Sequence, residues 1–264
     1  MTQRAGTRSV PILTYHSLDD SGSVISTSPA VFRGQMQQLS DAGYRAMAMN
    51  DLLDLWERDA DVPERTVVLT FDDAATNLVD HALPVLQMLR FRATIYAVSG
   101  RLGAFNDWPE QGAGIPRLPL MSRDGLVECV DAGCEIGAHS VQHLRLDRLP
   151  ATRWEQEIVD CRASLESQLG VAVTTFAYPF GALTPAIRNV VATHYRAAVS
   201  TELRAASSAD DRHVLPRVDM YYWRRRSVFP LFGSRAGDAY LSLRAAARRV
   251  RASFGSSFGS SFES

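Results

Sequence analysis

Lysine is missing: all 28 basic residues are arginine. That removes imine chemistry on a lysine amine and the lysine of a P-loop; a GC-rich genome is the plain reason for such a bias. Cysteine is scarce, with Cys129, Cys134 and Cys161 the only three. Their odd number and spacing match neither a disulfide framework nor a zinc knuckle, so reduced, buried thiols are expected, as suits a cytosolic protein. Long apolar runs are absent as well. Nothing approaches the roughly 18 residues that span a bilayer. The polar start at residues 1–9 carries Arg4 and Arg8 and leads into no apolar run of signal-peptide length. A cytoplasmic location is expected. The net charge is only -1, so no global basic field points to a nucleic-acid partner.

What is present is ordinary globular composition. With 264 residues, 46% of them hydrophobic, the chain suffices for one large α/β domain. Short apolar runs at 10–15, 66–71, 93–98, 134–138, 174–178, 196–199 and 214–218 read as strands. Between them, residues 30–42, 77–89 (interrupted by Pro84), 122–132, 153–169 and 185–194 read as helices. Thr152 and Glu155 form a capping-box pattern ahead of the fourth. Alternating strands and helices imply a parallel sheet with helices outside, and seven or eight such units suit a closed barrel better than an open sheet. Residues 1–252 are expected to form this single domain, followed by a disordered Ser/Gly/Phe tail at 253–264. Residues 105–119 read as a long loop of the kind that is often functional or mobile.

Three strand ends carry chemistry. The run at 66–71 leads straight into Asp72 and Asp73. Barrel active sites lie at such C-terminal strand ends, and two adjacent carboxylates there are costly without a positive partner; a helix N-cap would account for one of them. His139 and His143 follow the run at 134–138. Their H-x-x-x-H spacing suits two ligands on one metal if the segment turns helically, with a strand-end aspartate as the natural third. Two imidazoles and a carboxylate leave a position open for water, as a hydrolytic site requires. Tyr178-Pro179-Phe180-Gly181 follows another strand and, by itself, reads as a simple turn.

In this order, T-F-D-D, H-S-x-x-H and Y-P-F-G closely resemble the motifs of the polysaccharide deacetylase family, the NodB-type metal-dependent esterases of carbohydrate esterase family 4. The resemblance runs from about residue 10 to 218. The opening P-I-L-T-Y-H-S, the F-x-x-Q-M-x-x-L-x-x-x-G-Y stretch at 32–44 and Met121-Ser122 look like its bacterial exopolysaccharide N-deacetylase branch. The resemblance implies a distorted (β/α)7 TIM-like barrel. It implies removal of the N-acetyl group from an amino sugar, whether glycan, glycoside, or lipid- or nucleotide-linked, by attack of a metal-bound water. Carried over residue by residue, Asp72 is the general base, and Asp73, His139 and His143 hold the metal. Zinc is the default, with nickel, cobalt or iron fitting the same ligands. The N–H of Phe180, within Tyr178-Pro179-Phe180-Gly181, would contact the oxyanion.

The family's late L-x-H acid motif is missing, which makes His16 the substitute acid; its plainer role is to cap a loop. Ala74 stands where the family usually has Gly, and Ala177 where an Arg usually supports the base. Arg217 and Asp219 either orient Asp72 or form a surface pair. Two alternatives to the deacetylase reading stand: a related C–N hydrolase acting on a cyclic or non-sugar amide, and a catalytically silent glycan-binding barrel.

Near the C-terminus, Arg224-Arg225-Arg226 precede an apolar run, and residues 239–252 carry four arginines and no acid. The segment reads as a solvated helix over the barrel, or as one making weak contact with an anionic membrane surface. Tyr221, Tyr222 and Trp223 equally suit a sugar groove. The sequence leaves the oligomeric state open.

Overall fold

Runs rich in β-branched and apolar residues form the strands of a computed structural model that describes residues 9–257. In chain order the elements are β1 (Ile12–Tyr15), β2 (Ser17–Leu18), β3 (Ser26–Thr27), α1 (Pro29–Asp41), β4 (Arg45–Met47), α2 (Met49–Glu57), β5 (Thr66–Phe71), α3 (Asn77–His81), α4 (Leu83–Leu89) and β6 (Thr94–Ala97). They continue with α5 (Arg123–Asp131), β7 (Glu135–Ala138), α6 (Trp154–Leu169), β8 (Thr175–Ala177), α7 (Pro185–His194), β9 (Ala197–Leu203), β10 (Leu215–Asp219) and α8 (Arg235–Ser257).

The sheet order β1-β10-β9-β8-β7-β6-β5 closes on itself because β1 also pairs with β5, and every pairing is parallel. This is the expected seven-stranded barrel. β4 lies outside the ring, paired with the first half of β5 from Arg45 opposite Thr66 to Met47 opposite Val68. β1 takes over β5 from Val68 onward.

The segment at 45–57, to which the sequence reading assigned nothing, plugs the barrel. Met49, Leu52, Leu53 and Trp56 of α2 pack with Ile12, Val68, Tyr96, Ala177 and Val199 in one buried cluster. The first N–H groups of α2 donate to Thr94 Oγ1 and Glu135 Oε2 at the starts of β6 and β7. Leu52 and Leu53 are fully buried, so cutting either to alanine costs about 2–5 kcal/mol. This cluster fills the end of the barrel away from the C-terminal ends of the strands.

The expected interruption at Pro84 is present, and the expected capping box is corrected. The helix expected at 77–89 breaks at Ala82, because Pro84 lacks an N–H and its ring excludes the carbonyl four residues back. No side chain caps α6; a 3₁₀ turn at Ala151–Arg153 runs straight into it. α8 continues past residue 252 to Ser257, and the rest of the expected tail lies outside the described residues. No described helix is long and apolar enough to cross a membrane. All three cysteines are free and buried.

Candidate active site

Parallel strands present all their C-terminal ends on one rim. The register sets Tyr15 opposite Phe71, so His16 and Asp72 emerge side by side, with His16 Nε2 3.8 Å from Asp72 Oδ2. Three strands of the ring place Ala97, Ala138 and Phe176 level with one another, which brings His139 to the same rim. His139 Nε2 lies 3.5 Å and His143 Nε2 3.4 Å from Asp73 Oδ1. The three residues are buried, and their donor atoms lie within 4.8 Å of one another.

The histidines do not converge by a helical turn. Residues 139–143 form an irregular loop in which Ser140 (φ 63°) and His143 (φ 55°) are left-handed, as are Asp73 (69°), Ala74 (56°) and Phe180 (57°) at the same rim. Each such residue costs roughly 1–2 kcal/mol relative to ordinary backbone. Specific contacts hold the loop in place. Ser140 Oγ accepts the N–H of His143 at 2.9 Å, and Glu157 Oε2 accepts those of Val141 and Gln142 at 3.1 and 2.9 Å.

The imidazole tautomer at His139 is set by its partner. Nδ1 lies 2.7 Å from the carbonyl oxygen of Ala177, which can only accept, so Nδ1 carries the proton. With His139 neutral, Nε2 turns a lone pair toward Asp73 Oδ1, and a metal cation between them would satisfy both. Without one, burial alone would lower the pKa of the imidazole, but the Asp73 carboxylate raises it, so that a proton takes that place. His143 stacks on Trp108 at 3.9 Å between centroids and meets the edge of Phe180 at 4.6 Å. Burial pushes the His143 imidazole down to about 3, so it stays neutral. Burial alone would raise the Asp73 carboxyl, but the two histidines bring it below its usual value. Asp73 Oδ1 is buried without a hydrogen-bond partner. An orphaned carboxylate oxygen facing two imidazole nitrogens fits a divalent, borderline-soft cation such as zinc.

Arg217 reaches Asp72 from β10. Its Nη1 and Nη2 donate to Asp72 Oδ1 and Oδ2, both at 2.7 Å, while Nε donates to the carbonyl of Ser200 at 3.0 Å. Burial would raise the Asp72 carboxyl, but the guanidinium overrides it and holds the group well below the usual carboxylate range. The surface-pair reading of Arg217 and Asp219 is thereby corrected. Arg217 is buried, and Asp219 Oδ1 instead accepts the N–H of Tyr221 at 3.0 Å.

The sequence profile of the polysaccharide deacetylases matches residues 59–198, just over half of the chain. The chain belongs to the polysaccharide deacetylase family. The Bacillus subtilis (strain 168) protein YxkH is 27% identical over 210 residues, 79% of this chain and 70% of its own. Among solved structures, the Streptococcus pyogenes deacetylase PplD in complex with acetate superposes with a TM-score of 0.71 at 23% identity, over 81% of this chain and 92% of that one. IcaB from Ammonifex degensii gives 0.70 at 24% identity, over 85% and 95%. At these identities the two structures share the fold.

A cavity of about 380 Å³ opens over the rim of this deacetylase-family barrel. His16, Asp72, Asp73, Trp108 and Phe180 line it, together with Arg248 of α8. Trp108 comes from the long loop, which is ordered by bridges from Phe105 to Pro119 and from Ala75 to Leu120. Of the Y-P-F-G residues, Tyr178 and Phe180 line the cavity. Tyr178 is buried, and its hydroxyl donates to the carbonyl of His213 at 2.9 Å. Pro179 starts a 3₁₀ turn. Gly181 (φ 67°) passes so close to Thr201 that a Cβ there would collide with it. Trp223 is not in a sugar groove; it is core, packed against Phe229, Phe232 and Tyr240.

Two residues of the site were missed in the sequence. Trp108 carried no signal that set it apart. Glu157 did: it falls on the apolar stripe of Trp154, Ile158, Cys161 and Leu165, and a carboxylate at a core-facing position needs a partner.

Proposed function

We propose that this chain is a metal-dependent N-deacetylase of an N-acetylated amino sugar. The observation that carries the reading is the pairing, on one rim, of an arginine-clamped Asp72 with the Asp73, His139 and His143 donor set. Asp73, His139 and His143 would hold a divalent cation, which would supply the Lewis acidity that acidifies water and polarises an acetyl carbonyl. Asp72, kept ionised by Arg217, takes a proton from the attacking water. The N–H of Phe180 donates to the oxygen on which charge develops. His16, part-exposed in the cavity beside Asp72, delivers a proton to the departing nitrogen. Water oxygen joins the carbonyl carbon, the C–N bond breaks, and acetate and a free amine leave. Trp108 and Phe180 pack against His143 and give the cavity an apolar wall.

Arg217 also answers the missing Arg at position 177. The base has its guanidinium, delivered from another strand, so the ground for preferring a cyclic amide falls away. The test is acetate release from free, oligomeric and nucleotide-linked N-acetylglucosamine by the metal-loaded protein, with a chelator control. Chelator-sensitive acetate supports the reading. Protein with metal bound that releases none from any of them refutes it.

A further inference from the structure

A second cavity, of about 270 Å³, is lined by Tyr221, Tyr222, Arg224, Arg225, Tyr240 and Arg244. Three arginines share it, and no carboxylate does among the described residues. Arg224 spends its Nη1 on the carbonyls of Gly22 and Ser23 and lies 4.2 Å over the Tyr221 ring. Arg244 donates to the Tyr240 hydroxyl at 3.1 Å. These contacts orient the guanidinium groups without neutralising them, so the cavity stays positive.

The two linings draw on neighbouring stretches of chain. Tyr221 and Tyr222 follow closely on Asp219, which lines the catalytic cavity. Arg248, also in its wall, stands one helical turn from Arg244 on α8, about 6 Å along the axis. Arg248 has no ion pair or hydrogen bond among the described residues. Arg248 in the wall of the catalytic cavity and Arg224, Arg225 and Arg244 in that of the second thus set cations on both, the second walled by tyrosine rings. A neutral glycan offers these cations nothing. Guanidinium forks match phosphate oxygens in pairs, and several unneutralised arginines call for more than one negative charge.

We propose that this second cavity, with Arg248 of the catalytic one, binds a diphosphate carried by the amino sugar. The inference rests on the deacetylase reading and deepens it by naming the substrate class: a sugar diphosphate ester, whose other end is a nucleoside or a lipid.

The first experiment needs no turnover. Chelator-treated protein is titrated calorimetrically with inorganic pyrophosphate and with uridine diphosphate, for the natural sequence, for Arg244→Gln/Arg248→Gln and for the exposed single variant Arg225→Gln. Binding that weakens at least tenfold in the double variant, and measurably in the single one, is the expected result. No binding to the natural protein, or equal binding to all three, overturns the proposal. The second experiment compares kcat/KM of metal-loaded enzyme for UDP-N-acetylglucosamine, for a polyprenyl-diphosphate N-acetylglucosamine in micelles, and for neutral chitotetraose. The ratio of the better diphosphate substrate to the neutral one should fall at least tenfold in the double variant, through KM; equal loss on all three overturns the site. Which diphosphate the natural enzyme prefers tells nucleoside from lipid. If no substrate releases acetate while pyrophosphate binding is still lost in the variant, the anion site stands and the deacetylase reading falls.

Discussion

Replacing Arg217 by glutamine removes one half of a buried ion pair and leaves the other. Arg217 and Asp72 are each 3% exposed and joined by two hydrogen bonds of 2.7 Å. Stranding a buried charge in this way costs about 3–5 kcal/mol, and that range already contains the lost bonds to Ser200 and Thr70. In a domain of this size 1 kcal/mol moves Tm by about 2–4 °C, so a fall of roughly 6–20 °C is expected. Neutralising both partners, as Asp72→Asn/Arg217→Gln, removes the stranded charge, and the double variant should be clearly more stable than Arg217→Gln alone. Activity should not follow stability: both variants lose turnover by about a hundredfold or more, because the ionised base is unsupported in one and absent in the other. Urea unfolding at pH 7 in chelator isolates the pair from any cation. A single variant that costs under about 1 kcal/mol, or a double variant no more stable than the single, would refute the account of this pair.

Glu157→Ala leaves the N–H groups of Val141 and Gln142 without their acceptor and should weaken zinc binding about 10–100-fold by calorimetry, with Glu157→Gln losing less; unchanged affinity would refute its role in holding the loop. Ala74→Gly relieves about 1–2 kcal/mol of left-handed strain, and loses about 0.4–1 to chain entropy and about 0.8 to a buried methyl. Its stability should stay within about 1 kcal/mol of the parent by urea titration, and a change beyond about 2 would mean the strain is misjudged. Chelation should abolish turnover and lower Tm, and zinc at about a thousandfold over its Kd should restore about 4 kcal/mol; a Tm indifferent to zinc would count against the Asp73, His139 and His143 site. Asp72, held by Arg217 against the effect of burial, and Asp210 and Asp211, held by hydrogen bonds from Arg204 and Arg188, all lie below 3.8 in the folded chain. The unfolded chain therefore binds protons first on acidification. The share of stability that these three carboxylates contribute should be complete above about pH 4 and be lost as the pH drops through their folded values; a loss of any of Asp72, Asp210 or Asp211 that left the acid limb below about pH 4 unchanged would contradict this.

The barrel was legible because strands buried on both faces read as unbroken apolar runs, and 66–71 is one, buried at every position. The metal donor set was legible because strand-end motifs lie on one rim in any such barrel. What stayed hidden depends on contacts between distant parts of the chain. Arg217 meets Asp72 across 145 residues, and only closure of the ring sets β1 between β10 and β5. The bend at 139–143 is imposed by a carboxylate on α6, so H-x-x-x-H spacing alone suggested a helical turn that is not there. β4 is three residues long, too short for a period-two pattern, although α2 did carry its signal in Met49, Leu52, Leu53 and Trp56.

The buried thiols give this molecule internal clocks. Burial pushes Cys129 up to about 12 and Cys134 and Cys161 up to about 11, so near neutral pH almost none is the thiolate that alkylating reagents attack. Each can be modified only during an excursion that exposes it, and the three sit at different depths. Cys161 lies behind the histidine loop, with its Sγ 3.1 Å from the carbonyl of Ser140; Cys129 is on α5, and Cys134 lies at the foot of β7. With no lysine in the chain, side-chain amines do not compete for the reagent. The order in which the three masses appear would separate breathing of the rim from collapse of the whole barrel: one shared rate for a fold that opens as a unit, and an early Cys161 for a rim that loosens alone.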